Sequence, residues 1–427
     1  MSKIDELLEK LCPDGVEYFR LSEISTQYAG FSGAKDKWAE NGNCQFIDYL
    51  NVFKNIKVNV KDLKFATIDN FNKTTVKRGD VLFTAASETP DECAISSEIE
   101  DEISEGIFID DHLFAIRFNQ DFRSRIKIGF AKYVFRTEHF RTEVSKVVRG
   151  VTRFYVSKKD FMKSTVPVPP LEVQNEIVRI LDNFTELEAE LEAELEARTK
   201  QYEYYRNKLL DFSTGSVGVP RIDKMLAELC PNGVELRTIE DIGTYRRGSF
   251  PQPYGLAKWY DDKNGMPFVQ VVDVENDKFL LTPDTRRKIS VEAQKMSVFA
   301  PIGTLIVTIQ GTIGRVAITQ YEAFIDRTLL VFKETDKNIN KKFLAYVLKQ
   351  KFALEEKTAR GSTLKTITKE ELKSFLIPIP PLEIQEEIVR ILDSFSEYVT
   401  SISQGLPAEI AARRKQYEYY RNKLLTF

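Results

Sequence analysis

Few side chains in this sequence have the type and spacing that covalent chemistry needs. Its two histidines, His112 and His139, both fall in the first half, and neither has a counterpart in the second. No run reads GxxxxGK[ST], GxGxxG after a strand, HExxH or G-x-S-x-G, so the phosphate-cradling loops, the zinc-protease helix and the serine elbow are missing. "ETPDECA" gathers Glu88, Asp91 and Glu92 about a proline, without a lysine at the spacing of a metal-dependent nuclease. No Asn/Asp-Pro-Pro-aromatic motif of amino-methylating enzymes occurs either. The cysteines Cys12, Cys44, Cys93 and Cys230 are scattered without metal-ligand spacing. Cys12 and Cys230 share a context, "LCPDGVE" and "LCPNGVE", which reads as a small buried residue ahead of a Pro-Asx-Gly turn. This is the inventory of a binder: no catalytic residue and no metal site is expected.

The elements that position such a binding surface must come from a folded chain of more than one core. At 427 residues, 42% hydrophobic and 29% charged, two domains are the natural expectation. No apolar run approaches bilayer length, and the N-terminus lacks a signal core, so a soluble cytoplasmic protein with no membrane partner is expected. The net charge of −3 hides an arrangement. Residues 86 to 111 hold ten acids and no Lys or Arg, while residues 117 to 159 hold twelve basic residues against three acidic, a net +9. The second stretch reads as a local basic surface able to attract phosphates within a screening length of about 8 to 10 Å, or else as an ordinary solvated face.

The chain is also written twice. "KQYEYYRNKLLDF" (200 to 212) returns as "KQYEYYRNKLLTF" (415 to 427), and only Asp211 against Thr426 differs. "RGVTRFYVSKKDFMKSTVPVPPLEVQNEIVRILDNF" from Arg149 matches "RGSTLKTITKEELKSFLIPIPPLEIQEEIVRILDSF" from Arg360, and "IDELLEKLCPDGVE" from Ile4 returns as "IDKMLAELCPNGVE" from Ile222. A period of half the chain is a domain duplication rather than a solenoid. After each proline pair, apolar residues recur at three-and-four spacing, first at Ile177, Leu181, Phe184, Leu187, Leu191 and Leu195, then at Ile388, Leu392, Phe395, Val399 and Ile402. The first predicts an unbroken helix from Leu171 to about Leu210, roughly 60 Å long at about 1.5 Å per residue. The second is predicted to break near Gly405 and restart with Pro407 in its first turn. Two apolar stripes with matching aromatic ends predict an antiparallel coiled-coil pair, although the intervening body could also supply the return that a parallel pair needs. The bodies between the tails diverge, yet "RGDVLFTAASETP" and "PIGTLIVTIQGTIG", like "FIDDHLFAIRF" and "FIDRTLLVFK", read as equivalent strands on one α+β frame.

Two divergent bodies alternating with near-identical helical tails, marked by "PVPPLEVQ" and "PIPPLEIQ", resemble the specificity subunit of type I restriction-modification enzymes over essentially the whole chain. The resemblance implies two globular α/β-mixed target recognition domains, residues 1 to 165 and 213 to 376. It also implies two spacer helices, residues 166 to 212 and 377 to 427, in a pseudo-two-fold repeat. Each domain would read one half of a bipartite sequence in double-stranded DNA, and the helices would set the gap and dock two methyltransferase subunits, which motor and restriction subunits join. The chain itself would be non-catalytic and hold no cofactor, with S-adenosylmethionine, ATP and Mg bound by partners in an assembled adenine-N6 methyltransferase and endonuclease. A protein-binding scaffold with twin modules is the other reading.

Readout residues are expected in the variable loops, since Arg pairs bidentately with guanine and Gln with adenine. In the second body these are Arg246, Arg247, Ser249, Gln252 and Tyr254 of "YRRGSFPQPYG", with Gln310, Thr312 and Arg315 of "TIQGTIGR". In the first they are Ser32 and Lys35 of "GFSGAK", with Thr84, Ser87 and Glu88. Arg149 and Arg360, in the shared "RG[VS]T" turns, are assigned to phosphates, because a feature common to two differently reading modules carries no sequence information, and Thr152, Arg153 and Thr363 at the same turns are also expected to bind DNA.

Overall fold

The computed structural model of the protein describes residues 3–31, 42–67, 74–275, 278–358, 372–373, 375–400 and 405–427. It divides into two compact units, one of Met1–Glu190 with Ile410–Phe427 and one of Leu191–Glu409. The branched and aromatic runs form strands where their composition predicts them. In the first unit an antiparallel sheet runs in the order Ser25–Ala29, Leu113–Phe118, Val81–Thr84, Ser96–Glu98. The second unit repeats that order with Gly243–Arg247, Leu329–Thr335, Leu305–Thr308 and Val316–Ile318. Val81–Thr84 and Leu305–Thr308 are buried at every residue, and each follows a turn whose glycine, Gly79 or Gly303, has a φ of +84° or +79°.

A second sheet accompanies each first one. Cys44–Ile47 pairs in parallel with Phe108–Ile109 and antiparallel with Lys64–Ala66. Met266–Val269 likewise pairs in parallel with Ala323–Ile325 and antiparallel with Arg287–Ile289. The entry and exit of each body are then zipped together, Tyr18–Arg20 against Thr165–Pro167 and Glu235–Thr238 against Leu376–Ile379.

The prolines after these exit strands open the repeated helices. We call them α1 (Leu171–Leu209), α2 (Leu382–Thr400) and α3 (Leu406–Leu424). The predicted unbroken helix is α1, and the predicted restart has Pro407 in the first turn of α3. In the first unit α1 and α3 run antiparallel, since Phe184 stacks on Tyr420 at 5.4 Å between ring centroids while Glu188, further along α1, bonds Arg414 earlier in α3 at 2.7 Å. In the second unit the equivalent ring Phe395 of α2 meets Tyr202 of α1 at 5.7 Å. Each copy of the repeated tail thus packs where a copy of "EIVRILD" presents its apolar face, with Ile177 and Leu181 fully buried in the first unit and Ile388 and Leu392 in the second. The apolar stripe between these ends is covered less than a core: Leu187 is 46% exposed, and no residue of α1 between Leu181 and Leu209 is buried.

The "PPLExQ" motif has a physical reason in both units. The amide of Gln174 is fully buried, accepts from Lys127 N at 2.8 Å, and donates to the carbonyls of Arg125 and Pro169 at 2.8 and 2.7 Å. Gln385 repeats this, accepting from Asn340 N at 2.9 Å and donating to the carbonyls of Asn338 and Pro380 at 3.0 and 2.7 Å. Only an amide can donate twice and accept once in that place. Near the head of the same helix, Glu176 accepts from Arg179 and Lys3, as Glu387 accepts from Arg390 beside Arg221. Further along, Asp182 accepts from Tyr133 Oη at 2.6 Å and Lys132 Nζ at 2.8 Å, and Asp393 accepts from Tyr346 Oη at 2.8 Å and Lys342 Nζ at 2.7 Å.

Two expectations change. The +9 stretch is internal in part: Arg117 bonds the buried Asp80, Lys132 bonds Glu100 and Asp182, and Arg136 and Arg141 donate to backbone carbonyls. These four answer the neighbouring acidic run and loop carbonyls, while Arg123, Arg125, Lys146, Arg149, Arg153 and Lys159 stay exposed. Cys12 and Cys230 are half-buried rather than buried.

Gln174→Ala is expected to speed amide hydrogen exchange at Lys127, and Gln385→Ala at Asn340, by the equivalent of about 1 to 3 kcal/mol each, with the other unit unaffected. Glu176 is pulled down to about 2 from 4.5, chiefly by the hydrogen bond from Arg179 and then by Lys3. A depressed carboxyl stabilises above its unfolded value and loses that contribution as pH falls through the folded one. The urea midpoint of Glu176→Gln should therefore fall less steeply than that of the parent between about pH 4.5 and pH 2.

Candidate nucleic-acid interface

The loop between the paired strands of the "FID" motif organises each body. In the second unit Asp326 is buried, accepting from Thr328 N at 2.9 Å and Thr328 Oγ1 at 2.6 Å through one oxygen and from Tyr254 Oη at 2.7 Å through the other. Gln270 donates to the same Tyr254 hydroxyl at 2.6 Å. Burial, then the hydrogen bond to Asp326, raises the Tyr254 phenol well above its ordinary range, so it stays protonated as the donor. In the first unit Asp110 accepts from His112 N at 3.1 Å and His112 Nδ1 at 2.9 Å.

Gly248 and Gly30 let the preceding strand pass this loop, because a Cβ at either would stand 2.2 Å from Asp326 O or 1.8 Å from Asp110 O. The carbonyls of Thr328 and His112 accept from Ile309 N and Ala85 N, at 2.9 and 2.8 Å, which brings a second loop alongside. That second loop is locked by a buried threonine. Thr308 Oγ1 donates to Thr312 O at 2.6 Å and accepts from Arg315 N at 2.9 Å. Thr84 Oγ1 donates to Glu92 O and accepts from Ile95 N, both at 3.0 Å.

The second unit brings together Arg246, Arg247, Ser249 and Tyr254 at the "FID" loop. Arg246 and Arg247 are exposed, Arg247 Nε donating to Arg327 O at 3.3 Å and Arg246 Nε to Arg247 O at 3.3 Å. Ser249 Oγ donates to Met296 O, Gln252 is exposed on the same loop, and Thr312 is exposed with Gln310 half-buried on the neighbouring one. Arg315 turns inward, donating from Nη1 to Val274 O at 3.2 Å. Sequence reasoning passed over Arg327, which is exposed and lies 5.4 Å from the centroid of Tyr254. Its signal was its place between Asp326 and Thr328, which bond one another.

In the first unit Ser87, Glu88, Thr152 and Arg153, far apart in sequence, line one open cleft of 920 Å³ with His112 and Tyr49. Ser87 Oγ donates to Glu92 at 2.8 Å, whereas Glu88, Thr152 and Arg153 are exposed. Thr84 lies fully buried beneath and serves as the loop lock described above. Arg149 is exposed and donates to the carbonyls of Lys146 and Val148 at the base of its hairpin. Ser32, Lys35, Arg360 and Thr363 lie outside the described residues.

Residues 13–197 and 231–412 match the family described as Type I restriction modification DNA specificity domain. The specificity subunit of the type I restriction enzyme EcoR124I/EcoR124II of Escherichia coli is 31% identical over 288 residues, 64% of this chain and 66% of that protein's own length. A Haemophilus influenzae chain assigned as a type I restriction enzyme specificity subunit is 32% identical over 307 residues, 68% of this chain and 71% of its own length. Among solved structures, a chain from a study of complex assembly and conformational transition of a type I R-M system covers 97% of this chain, and 98% of itself, with a TM-score of 0.65. At 19% identity that likeness is one of fold.

Tyr254→Phe strands an oxygen of buried Asp326 and the Gln270 amide. It should loosen the "FID" loop of the second unit by about 1 to 3 kcal/mol, read as faster amide exchange at Thr328 with His112 unchanged.

Proposed function

Since the chain belongs to the family of type I restriction-modification DNA specificity subunits, we propose that it is the DNA-recognition subunit of such a system. Each body reads one half of a bipartite target in double-stranded DNA, and the repeated helices set the gap between the halves. One observation carries this reading: a single hydrogen-bonded frame occurs in both bodies and bears different polar heads, His112 on Asp110 and Thr328 on Asp326. Two modules that must read different bases need a constant frame and variable tips. The heads are hydrogen-bonding side chains that a base edge can answer, as are Arg246, Arg247 and Gln252 on the loops beside Thr328.

Two methyltransferase subunits dock on the repeated parts, and a restriction and motor subunit joins that assembly. Equivalent exposed apolar positions on both copies, Leu11 with Leu229 and Tyr18 with Leu236, support a paired docking of like partners. The chain contributes recognition and geometry. The partners contribute methyl transfer from S-adenosylmethionine to adenine N6 and ATP-driven cleavage with Mg.

Replacing residues 237 to 363 by those of a differently reading relative should change only one half of the methylated motif, the other half and the gap staying constant. Binding of the assembled complex to duplex should weaken steeply with salt, and Arg246→Ala or Arg247→Ala should each lower the log–log salt slope by about one if the side chain meets a phosphate, or relax one base of the motif if it meets a base. An assembled complex that binds no duplex at any salt would leave the protein-scaffold reading in its place.

A further inference from the structure

The turn after the "FID" run of the second body is short and firmly bonded. Leu329 N donates to Asp326 O at 3.0 Å, which makes Arg327 and Thr328 its two central residues. The strand that passes the turn bonds both flanks, Ser249 N to Ile325 O at 3.0 Å and Gly248 N to Leu329 O at 2.9 Å, and Arg247 Nε reaches Arg327 O at 3.3 Å. The backbone that carries Arg327 is thus held on either side and at its own carbonyl. The side chain is exposed and lies over a ring, its Cζ 5.4 Å from the centroid of Tyr254. That ring is anchored in turn. Its hydroxyl bonds Asp326 at 2.7 Å, the Tyr254 carbonyl accepts from Tyr260 Oη at 3.1 Å, and the buried Phe250 packs against it at 4.9 Å between centroids.

Three exposed arginines meet at this turn. Among the described residues no carboxylate forms an ion pair with Arg246, Arg247 or Arg327, although other surface cations of the same body are paired, Lys258 with Glu292 and Arg287 with Asp262, both at 3.1 Å. Unanswered positive charge draws a duplex, and because a guanidinium only donates, its ligand must accept. Two groups on DNA accept from both arms of the fork: a phosphate, and the major-groove edge of guanine with N7 and O6 side by side. Adenine and thymine offer one acceptor there beside a donor or a methyl, and cytosine offers none.

The first body decides between the two. At the same point of its frame, between Asp110 and His112, it carries Asp111. A phosphate is the same under every sequence and would ask for one sign of charge at this point in both bodies, whereas opposite signs belong to a position whose ligand differs. We propose that Arg327 is a specificity-determining residue of the second body, laid on the Tyr254 ring so that its guanidinium donates to N7 and O6 of one guanine in that body's half of the target. The inference rests on the DNA-recognition reading and names a base that this reading leaves open. A fork resting on an anchored ring has little freedom to lose on binding, so its bonds are directed to one place.

The test uses the full chain assembled with its methyltransferase subunits and a duplex of the motif that the assembly methylates. The half in question is the one that changes when residues 237 to 363 are exchanged. Replacing each of its guanines, on either strand, by 7-deazaguanine removes N7 and leaves base pairing intact. The parent should lose about tenfold in affinity at one position. Arg327→Ala should bind the unmodified duplex about tenfold more weakly, show no further penalty for 7-deazaguanine at that position, and accept other base pairs there nearly as well as G·C. Penalties for base changes in the first half, and amide exchange at Thr328, should stay as in the parent, the sign that the fold and the turn are intact. A loss of equal size on every duplex, with a salt slope lower by about one, assigns Arg327 to a phosphate and overturns the inference while the recognition reading stands. Full affinity of Arg327→Ala, a parent indifferent to 7-deazaguanine throughout that half, or a half with no guanine on either strand overturns it in the same way. If the parent assembly binds no duplex, the recognition reading itself fails and the inference falls with it.

Discussion

One buried amide at the head of each repeated helix is the constraint on which the remaining architecture depends. Gln174 and Gln385 pair backbone groups where a body meets its helix, and each does so with three hydrogen bonds made by a fully buried side chain. A glutamate there could accept but not donate, and a leucine would leave a donor and two carbonyls unmet, each a cost of about 1 to 3 kcal/mol. Because the amide has one orientation in which all three partners are answered, it fixes the rotation of the body about the helix head as well as holding it. The carboxylates further along each helix, Glu176 and Asp182 in one and Glu387 and Asp393 in the other, then find their partners without a further choice of register.

The same economy governs the loops. Asp110 and Asp326, Thr84 and Thr308, and Gly30 and Gly248 occupy corresponding places and are buried or sterically required. Among the polar residues that differ between the bodies, Glu88 and Arg153 in the first and Arg246, Arg247 and Gln252 in the second stand exposed beside this hydrogen-bonded frame. A loop whose base is satisfied internally can change its tip without refolding, since a substitution at the tip leaves no buried polar group unpaired. That separation of frame and tip is what lets one fold carry two different recognition surfaces in one chain.

Much of this frame was legible from the residues and some of it was not, for definite reasons. The duplication, the unbroken α1 and the restart at Pro407 follow from periodicity and proline chemistry, which are local. The strands of the "FID" and "VLFT" runs were legible from branched and aromatic content. Thr84 was read as a tip residue because a threonine in a polar loop looks the same whether its hydroxyl faces a ligand or two backbone groups; its burial is decided by strand pairing far away in sequence. The hold of Asp110 on the His112 ring was not legible, because the sequence shows that carboxylate only as one of ten acids between residues 86 and 111. Arg117 and Lys132 of the +9 stretch were misplaced for a related reason: charge counted along the chain ignores that Asp80, Glu100 and Asp182 stand opposite them in space.

That internal pairing bears on how such a chain discriminates. Attraction to a phosphate backbone is long-ranged, insensitive to sequence and additive in exposed cations, so a recognition surface dominated by it binds everywhere with similar strength. Here the formal net charge is −3, and Arg117, Lys132, Arg136 and Arg141 are committed to interior partners. Of the cations that stay exposed, Arg153, Arg246, Arg247 and Arg327 stand beside the hydrogen-bonding loops described above. Short-range directional bonds fall off within about an ångström of misfit, whereas screened Coulomb attraction persists over a Debye length of about 8 Å at physiological salt. Each cation committed to an interior partner lessens the long-range term, and the ratio of right to wrong sequence then depends more on the directional one. A body held at one rotation by a buried amide is what makes that dependence workable, because directional bonds discriminate only when the frame that offers them does not turn.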